Sequence, residues 1–346
     1  MSDPIRLAVL GCGTIVRGEH LPAILRNPEV RLAALVDQNQ ERAAKLIRTS
    51  SLECRAASDY KSVLSEVDAV LNALPNHLHA GVTLEAITRG VHVLCEKPLA
   101  IRSADGRACA AAAAERGVVL AVGMNRRFHD NHDLLRAVLD EGALGALKDY
   151  DWQMGGPFDW NSASGFYFSK AQAGGGVLLD YGVHLVDSLV DWFGPVTEVS
   201  AEDDDWGGGI EANVRLELKH EGRYGVIPGQ VRLSRTYALK NRLLLRGTEA
   251  SAELPIESPD AIVLHRCFHG KAVEEAVSFA KAEKPAGTSF DRQLRNFVGS
   301  IRGVEKPRVN GEQAAYVLEV IERCYARRTR LPEPWSEVRA TTGVGA

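Results

Sequence analysis

Short apolar runs alternate with helical stretches over the first 124 residues of the chain. The runs are apolar at successive positions, which is typical of strands buried on both faces of a sheet. They predict five strands, at residues 5–10, 30–37, 68–75, 91–96 and 117–123. Helical patterns separate them, at residues 40–48, 79–88 and 103–115. This alternation predicts an α/β domain built on a doubly wound parallel sheet.

The pattern changes after residue 124. A helical stretch at residues 132–141 precedes runs with one apolar and one polar face, at residues 147–153, 196–202, 211–219, 225–234, 241–246 and 261–267. Such runs indicate an α+β domain with a large, mostly antiparallel, open sheet. Helices at 290–301 and 311–325 complete the pattern. We therefore expect a first domain at 1–124, a second, α+β domain at 125–330 and a tail at 331–346. Helix 311–325 is also compatible with packing back on the first domain.

The segment 174–194 is apolar on every face of a helix except one. Its polar residues Asp180, His184, Asp187 and Asp191 recur at i, i+4, i+7 and i+11, a spacing that places them in one stripe. A buried carboxylate costs on the order of several kcal/mol unless it is paired, and histidine titrates closest to neutral pH. The stripe therefore marks this helix as the first candidate for an active site. Taken alone, His184 is better explained by packing, as a buried histidine bonded to Asp180 or Asp187, and Asp187 and Asp191 are interpreted as residues of helix–helix pairing or of an N-terminal cap elsewhere.

A glycine-rich turn follows the first strand. Gly11 and Gly13, with Thr14 and Ile15 leading into a helix, are suited to a pyrophosphate at a helix N-terminus, although Val16 stands where a third glycine is usual. Asp37, at the end of the second strand, is placed to accept hydrogen bonds from an adenosine ribose. No Arg or Lys occupies positions 38–40, which favours NAD, with NADP as the alternative cofactor. A solvated turn aspartate is the competing interpretation of Asp37.

The triplet Glu96-Lys97-Pro98 ends another buried strand. Open α/β sheets bind ligands at the carboxyl ends of their strands, so Lys97 is a candidate for substrate chemistry. A Lys-Pro pair could also hold a cis peptide bond. The triplet alone is ambiguous, because a second copy occurs at Glu305-Lys306-Pro307 in an ordinary loop.

Composition excludes several classes of function. The 346 residues carry a net charge of −4 with a pI near 6.2, which gives no drive toward nucleic acid or anionic membrane. No apolar run approaches the roughly 20 residues of a membrane span. The N-terminus lacks signal-peptide features and the six cysteines show no C-x-x-C pair, so we expect a cytoplasmic protein with reduced thiols. His265, Cys267 and His269 alternate along a predicted strand but lack a fourth ligand, so no metal site is predicted.

Several widely spaced motifs together resemble one oxidoreductase family. They are G-C-G-T-I at 11–15, H-L-P-A at 20–23, P-N-H-L-H at 75–79, V-H-V-L-C-E-K-P at 91–98, N-R-R-F at 125–128, G-G-G-V-L-L-D-Y-G-V-H-L-V-D at 174–187 and A-A-Y-V-L-E-V-I-E at 314–322. In this order they resemble the glucose–fructose oxidoreductase/inositol dehydrogenase/MocA (Gfo/Idh/MocA) family. The resemblance covers nearly the whole chain and implies an N-terminal Rossmann domain that binds NAD(P). It also implies that the domain at 125–330 serves substrate binding and oligomerisation.

The resemblance also implies roles for single residues. Lys97 corresponds to a lysine that bridges the nicotinamide ribose and the substrate hydroxyl, and Asp180 and His184 correspond to the catalytic pair of the family. Positions that line the cofactor in the family are matched by Pro75, Asn76, His79, Glu96 and Arg126, the last of which also contacts substrate in relatives. Tyr181 stands where inositol-using relatives often carry asparagine, so inositol itself is not favoured.

These observations predict an NAD(P)-dependent dehydrogenase or ketoreductase acting on a sugar, cyclitol or sugar-like substrate. His184 is the expected general base, since hydride transfer from a carbinol requires removal of the hydroxyl proton. Trp160 and Tyr181 are candidate stacking partners for a polyhydroxylated ring. A redox-neutral NAD-dependent glycosidase or lyase and a non-catalytic dinucleotide-binding regulator are the alternatives. The broad open sheet suggests a homodimer or homotetramer.

Overall fold

The computed structural model describes residues 3–158, 165–205, 210–268, 271–279 and 286–331. These residues form two compact units. The first comprises residues 3–128, 165–174 and 286–319, and the second comprises the described residues of 129–158, 175–279 and 320–331. The Trp160 predicted to contact substrate, and His269 of the alternating His and Cys pattern, lie outside the described residues.

The first unit contains a six-stranded sheet in which every strand pairing is parallel, in the order β3-β2-β1-β4-β5-β6. This confirms the predicted doubly wound sheet. The elements up to residue 128 are β1 (Ile5–Leu10), α1 (Leu21–Arg26), β2 (Val30–Val36), α2 (Gln40–Thr49), β3 (Arg55–Ala57), β4 (Ala69–Asn72), α3 (Asn76–Thr88), β5 (His92–Cys95), α4 (Ser103–Arg116) and β6 (Leu120–Val122).

The remaining elements follow in chain order. They are α5 (Asp130–Asp140), β7 (Leu147–Gly155), α6 (Lys170–Ala173), α7 (Val183–Phe193), β8 (Val196–Asp203), β9 (Asn213–Gly222), β10 (Gly225–Ser234), β11 (Arg242–Gly247), β12 (Ala250–Pro255), β13 (Ala261–Phe268), β14 (Lys271–Ser278), α8 (Ser289–Ile301), α9 (Gly311–Arg327) and β15 (Arg328–Arg330). Strands β3, β12, β14 and β15 were not predicted from the sequence pattern.

Late helix α8 contributes to the core of the first unit. Phe290, Leu294 and Phe297 project from one face of α8, because they are spaced three or four residues apart. They join the buried cluster that includes Leu7 and Leu35 of the parallel sheet. A capping box between Thr288 and Asp291 fixes the first turn of α8. The C-terminal part of the chain therefore completes the core of the nucleotide-binding unit.

The second unit contains a nine-stranded sheet in the order β14-β13-β12-β11-β7-β10-β9-β8-β15. Its pairings are antiparallel except for β10 with β7 and β15 with β8. The predicted large, mostly antiparallel sheet is thus confirmed. The buried side chains Leu216, Leu218, Val231, Leu243 and Leu245 form the central apolar part of this sheet.

The polar face of the nine-stranded sheet carries ion pairs that cross from strand to strand. Lys219 of β9 lies 2.8 Å from Glu198 of β8, and Arg232 of β10 lies 3.2 Å from Asp151 of β7. All four residues line a groove of about 650 Å³ on this face. The groove contains none of the side chains predicted to carry catalysis, so it is a surface feature of the sheet.

Candidate active site

The glycine turn of the first unit is shaped by a close backbone approach. Gly11 follows β1 with φ +96°, and its N–H donates to the Val36 carbonyl at 2.7 Å. A Cβ at Gly11 would lie 2.5 Å from the Ala73 carbonyl oxygen, so only glycine fits between β1 and the end of β4. A Cβ at Gly13 would meet no described atom within 4 Å. The turn therefore has open space beside Gly13, where a pyrophosphate could approach the backbone.

Asp37 lies directly after β2 and ties this turn together. Its Oδ2 accepts the Cys12 N–H at 3.0 Å, and its Oδ1 accepts the Asn39 N–H at 2.9 Å. The Arg42 guanidinium lies 3.0 Å from both oxygens. Burial raises the pKa of the neighbouring Cys12 thiol to about 12. The structure thus brings Gly11, Gly13 and Asp37 to one turn, as the motif predicts. It also places the positive charge of Arg42 there, which the residues at positions 38–40 did not indicate.

The loop after β5 presents Lys97. The Lys97–Pro98 peptide bond is cis, the arrangement the Lys-Pro pair suggested. The Glu96 Oε1 lies 2.6 Å from His20 Nε2, and its Oε2 accepts the Lys97 N–H at 3.1 Å. Burial tends to raise the pKa of Glu96, but the hydrogen bond and charge of His20, together with Lys97, outweigh it and leave that pKa below its ordinary value. Glu96 therefore fixes the backbone that carries Lys97.

His79 supports the same loop from α3. Its Nδ1 lies 2.6 Å from the Pro98 carbonyl and its Nε2 lies 2.6 Å from the Leu74 carbonyl. Burial lowers the pKa of His79 below its ordinary value, although the two carbonyls act in the opposite direction. Both ring nitrogens are thus engaged with the main chain, and His79 holds the loops that end β4 and β5 together.

The other residues predicted near the cofactor occupy the same unit. Pro75 is the N-cap of α3, and Asn76 begins that helix. The Asn76 Nδ2 donates to the Ala173 carbonyl at 2.8 Å, which ties α3 to the end of α6, just before the second glycine motif, the run of three glycines at 174–176. Arg126 lies half-buried in a 3₁₀ turn at Asn125–Phe128, and Thr14 and Ile15 precede a π-helical turn at Val16–His20.

In the second unit, Asp180 lies in a π-helical turn, Leu178–Gly182, that leads into α7. The sequence predicted a regular helix through this segment; the wider π turn changes the register between Asp180 and the residues that follow. Asp180 is bound by a residue that the sequence pattern did not reveal. Arg235, just after β10, donates from its Nη2 to the Asp180 Oδ2 at 2.6 Å. Both side chains are largely buried.

Aromatic rings flank the Arg235 guanidinium. Its carbon lies 4.9 Å from the centre of the Phe158 ring and 5.8 Å from that of Tyr181. A cation over an aromatic face is attracted by the quadrupole of the ring. Tyr181, predicted to contact substrate, is thus brought beside the Asp180–Arg235 pair, and it is half-buried.

A buried carboxyl group holds the start of this helix. The Glu211 side chain accepts the Gly176 N–H at 2.9 Å, the Leu178 N–H at 3.0 Å and the Tyr325 hydroxyl at 2.7 Å. Its main-chain carbonyl accepts the Val177 N–H at 3.0 Å and would clash with a Cβ at Gly176. Burial raises the pKa of Glu211 despite these hydrogen bonds. The second glycine motif is therefore required for close approach to residue 211.

The rest of the polar stripe divides along α7. His184 lies in the first turn of α7 and is half-buried. Asp191 lies 2.9 Å from the His132 Nε2 and also pairs with Arg136, both on α5. The helix-pairing interpretation of Asp191 is confirmed by these contacts. Asp187 is fully buried.

The contacts of these residues show which signals the sequence offered. His20 begins the H-L-P-A motif at 20–23 that contributes to the family resemblance, so its importance had a local signal in the sequence. Arg235 and Glu211 had none, because each reaches its partner from a strand end more than 30 residues away.

Two sequence models of one oxidoreductase family match the chain. The first, described as an oxidoreductase family with an NAD-binding Rossmann fold, matches residues 5–124. The second, the GFO/IDH/MocA C-terminal domain, matches residues 132–253. The chain belongs to this family. The resemblance drawn from the motifs, the Rossmann domain, and the prediction of an oxidoreductase that uses a nicotinamide dinucleotide are thereby confirmed.

Known relatives span nearly the whole chain. It is 25% identical to a dTDP-3,4-didehydro-2,6-dideoxy-alpha-D-glucose 3-reductase of Saccharopolyspora spinosa, over 92% of this chain and 95% of that protein. A 3-ketoreductase from Actinomadura kijaniata, solved with NADP and TDP-benzene, has a TM-score of 0.81 and 23% identity over 96% of this chain and 100% of its own. Levoglucosan dehydrogenase, solved with NADH, has a TM-score of 0.83 and 21% identity over 94% and 98%. At these identities the two structures establish the fold.

The described residues also bear on membrane and metal binding. Within those residues, none of the helices is both long and apolar enough to cross a membrane. In the same part of the chain, His, Cys, Asp and Glu side chains form no group of three that could hold a metal ion.

Proposed function

We propose that the protein transfers a hydride between a nicotinamide cofactor and a secondary alcohol or ketone of a sugar or sugar-like substrate. The position of Lys97 carries the proposal: it follows β5 at the carboxyl end of the parallel sheet, in the unit that holds the glycine turn and Asp37. Ligands of open α/β sheets bind at such strand ends. The names of the relatives, reductases and dehydrogenases of sugars, support the substrate class.

The residues of the cofactor unit suit a dinucleotide. The backbone at Gly11 and Gly13 would hold the pyrophosphate, and Asp37 would hold the adenosine ribose. Bound nicotinamide supplies the carbon that accepts or donates the hydride. Lys97 donates a hydrogen bond to the reacting substrate oxygen, and the Glu96–His20 pair keeps its backbone in place.

His184 acts as the acid and base in this proposal. In oxidation it removes the hydroxyl proton as the hydride leaves the carbinol carbon, and in reduction it returns that proton. Asp180 is a positioning residue, because its carboxylate is bound to Arg235 and both flank Tyr181. The pair Asp180–Arg235 fixes the helix start from which His184 projects one turn later.

The proposal is tested by supplying sugars and cyclitols with NAD or NADP and measuring the absorbance of the reduced cofactor. We expect net formation of reduced cofactor with at least one such substrate. Cofactor that binds but is never reduced in net turnover, while the sugar is cleaved, would instead establish a redox-neutral glycosidase or lyase. A protein that binds the cofactor and turns over nothing would be a regulator.

Lys97→Ala gives the matched test of the site. The second E-K-P triplet provides its control, Lys306→Ala, in an exposed loop. We expect Lys97→Ala to bind cofactor with near-normal affinity and to lose about a hundredfold or more in kcat, the scale of one lost transition-state hydrogen-bond donor. Lys306→Ala should match the wild type. Full turnover by Lys97→Ala would overturn the catalytic assignment.

We further propose that the groove-bearing face of the nine-stranded sheet associates with a second copy of the chain, giving a homodimer or a homotetramer built from such dimers. Its ion pairs place acidic and basic side chains side by side, so two copies related by a two-fold axis can present complementary charges. Light scattering coupled to size exclusion would give the mass. A monomer at micromolar concentration would refute this.

We also propose a reducing compartment, the cytoplasm, as the site of action. None of the six cysteines, all of which lie in the described residues, forms a disulfide. Free thiols suit a compartment that keeps them reduced. Fractionation of the native source with a cytoplasmic marker tests this, and recovery in an oxidising compartment would contradict it.

A further inference from the structure

The end of α9 contacts the start of the helix that carries Asp180 and His184. Tyr325, in the last turn of α9, donates from its hydroxyl to the Glu211 Oε1 at 2.7 Å. A Cβ at Gly175 would clash with the same hydroxyl, so the glycine at that position leaves room for it. The hydroxyl therefore lies between the Glu211 carboxyl group and the second glycine motif.

Glu211 is bonded in turn to the main chain at the start of the π turn. Its carboxyl group accepts the N–H groups of Gly176 and Leu178, and its main-chain carbonyl accepts the N–H of Val177. The Gly176 carbonyl accepts the Asp180 N–H at 3.1 Å. A continuous series of hydrogen bonds thus leads from the hydroxyl on α9 to the backbone of Asp180.

Arg328 fixes the end of α9 on the nine-stranded sheet. It begins β15, which pairs in parallel with β8, and its guanidinium lies 3.2 Å from an Asp203 oxygen and 3.1 Å from an Asp205 oxygen. Both acidic side chains are almost fully buried, so solvent screens these pairs weakly. The guanidinium carbon also lies 5.7 Å from the centre of the Tyr325 ring. The strand that follows α9 therefore holds Tyr325 in place.

The Tyr325 hydroxyl is a lasting hydrogen-bond donor. Burial and, after it, the negative charge of Glu211 raise the pKa of Tyr325 well above its ordinary value. The hydrogen bond from Tyr325 lowers the pKa of Glu211, although burial has the larger effect and leaves that pKa raised. The hydroxyl therefore favours the ionised carboxylate, the form with the most acceptor sites for main-chain N–H groups.

We propose that Tyr325 is a positioning residue for hydride transfer, acting through Glu211 on the backbone that places Asp180 and His184. This inference rests on the proposed function. The residues expected to hold the cofactor belong to the first unit, so the role of Tyr325 concerns the rate of the reaction and not cofactor affinity. The late-helix motif at 314–322 ends before Tyr325, so the sequence gave no signal for this role.

Hydrogen–deuterium exchange of the full-length protein without ligands tests the structural step. In Tyr325→Phe, the amides of segment 174–182 should exchange about tenfold faster, the scale of one lost hydrogen bond to a charged group. The amides of β1 and α2 in the first unit should keep their wild-type rates. Unchanged exchange at 174–182 would overturn the proposal, because the hydroxyl would then not hold that backbone.

Rapid mixing tests the catalytic step. The protein loaded with the oxidised cofactor is mixed with a saturating concentration of the sugar found in the substrate screen. In Tyr325→Phe the rate constant of the first turnover should fall about tenfold. Its amplitude, which counts the folded sites, and the affinity for NADH should match wild type. A wild-type rate constant, with or without a smaller amplitude, would show that Tyr325 serves stability alone and would overturn the proposal.

Tyr60→Phe is the matched control, because the Tyr60 hydroxyl also donates to a glutamate, Glu85, at 2.6 Å in the first unit. It should change neither the exchange at 174–182 nor the rate constant. Arg328→Gln should alter both in the same direction as Tyr325→Phe, whereas Arg327→Gln, at an exposed position, should alter neither. If the wild type reduces no cofactor with any sugar, the proposed function fails, and exchange at 174–182 still reports the Tyr325 contact, so the two failures are distinguishable.

Discussion

Removing the Glu211 side chain should damage the helix that carries Asp180 and His184 without touching the cofactor unit. Glu211 is buried and accepts hydrogen bonds from the Gly176 and Leu178 N–H groups and from the Tyr325 hydroxyl. In Glu211→Ala these three donors lose their acceptor together. The perturbation is therefore specific to the start of one helix.

The expected cost follows from those three hydrogen bonds. A buried donor without its acceptor costs about 1–3 kcal/mol. Burial of the Glu211 carboxyl, which raises its pKa, is itself unfavourable and offsets a part of that sum. We therefore expect the free energy of unfolding to fall by about 3 kcal/mol in Glu211→Ala. Since 1 kcal/mol shifts Tm by about 2–4 °C in domains of this size, Tm should fall by about 6–12 °C.

Glu211→Gln separates hydrogen bonding from ionisation. Oε1 makes the bonds to Leu178 and Tyr325, and an amide oxygen placed there keeps them, so the loss should be only about 1 kcal/mol. The raised pKa of Glu211 means that the folded protein holds this proton to a higher pH than the unfolded chain. The carboxyl group's contribution to stability is therefore complete below its unfolded value near 4.5 and declines as pH rises through the folded pKa. Glu211→Gln lacks this decline, so its deficit relative to wild type should shrink with rising pH.

Urea unfolding and thermal melts of the purified variants measure these changes. Glu221→Ala, an exposed position on β9, is the control and should match wild type. NADH binding should be retained in Glu211→Ala, and kcat should fall more than KM rises. A Glu211→Ala protein with wild-type stability and wild-type kcat would show that the Glu211 contacts do not organise the helix start.

Three other perturbations follow from the same contacts. Gly11→Ala should lose about 2 kcal/mol or more of stability, because its φ of +96° disfavours a side chain. Gly13→Ala should keep its stability, since a Cβ there meets open space, but should lose cofactor affinity. Thermal melts with and without NADH measure both effects. Arg235→Ala should lower kcat and reduce the free energy of unfolding by about 3 kcal/mol, because it removes the cation bound to the Asp180 carboxylate. Arg235→Lys should retain part of the activity and part of the stability, and equal kinetics for both variants and the wild type would refute this. Burial lowers the pKa of His220, so the unfolded chain takes up its proton first as pH falls below about 6.5. Stability should then decline by up to about 1.4 kcal/mol per pH unit from this group, and a smaller slope in His220→Gln checks the assignment.

The sequence pattern predicted the parts of the fold that have strong local signals. Strand β1 and strand β10 have the predicted bounds, because each combines a clear apolar pattern with glycine or a turn beside it. Strand β14 is exposed at nearly every position, so no apolar face marked it. Strands β3 and β15 have three residues each, too few for a period to show.

The candidate site was predictable only where a residue has a local signal in the sequence around it. Asp37 and Lys97 stand at strand ends, and strand ends can be found from the apolar runs before them. The π turn that contains Asp180 could not be predicted, because the same i, i+4 spacing fits an α-helix. Its neighbours are set by tertiary contacts, Glu211 at the helix start and Arg235 at the carboxylate.

The thiol of Cys12 is buried in the cofactor-binding turn and does not react with reagents in solution while that turn is closed. Its side chain is fully buried, and its pKa of about 12 keeps it protonated at neutral pH, so it is a poor nucleophile. An alkylating reagent can reach Cys12 only when the turn between β1 and the first helix opens. The rate of its modification therefore measures that opening directly, and a dinucleotide bound across the turn should slow it. The alkylation rate of Cys12 therefore reports the local motion of the cofactor-binding turn without any added label.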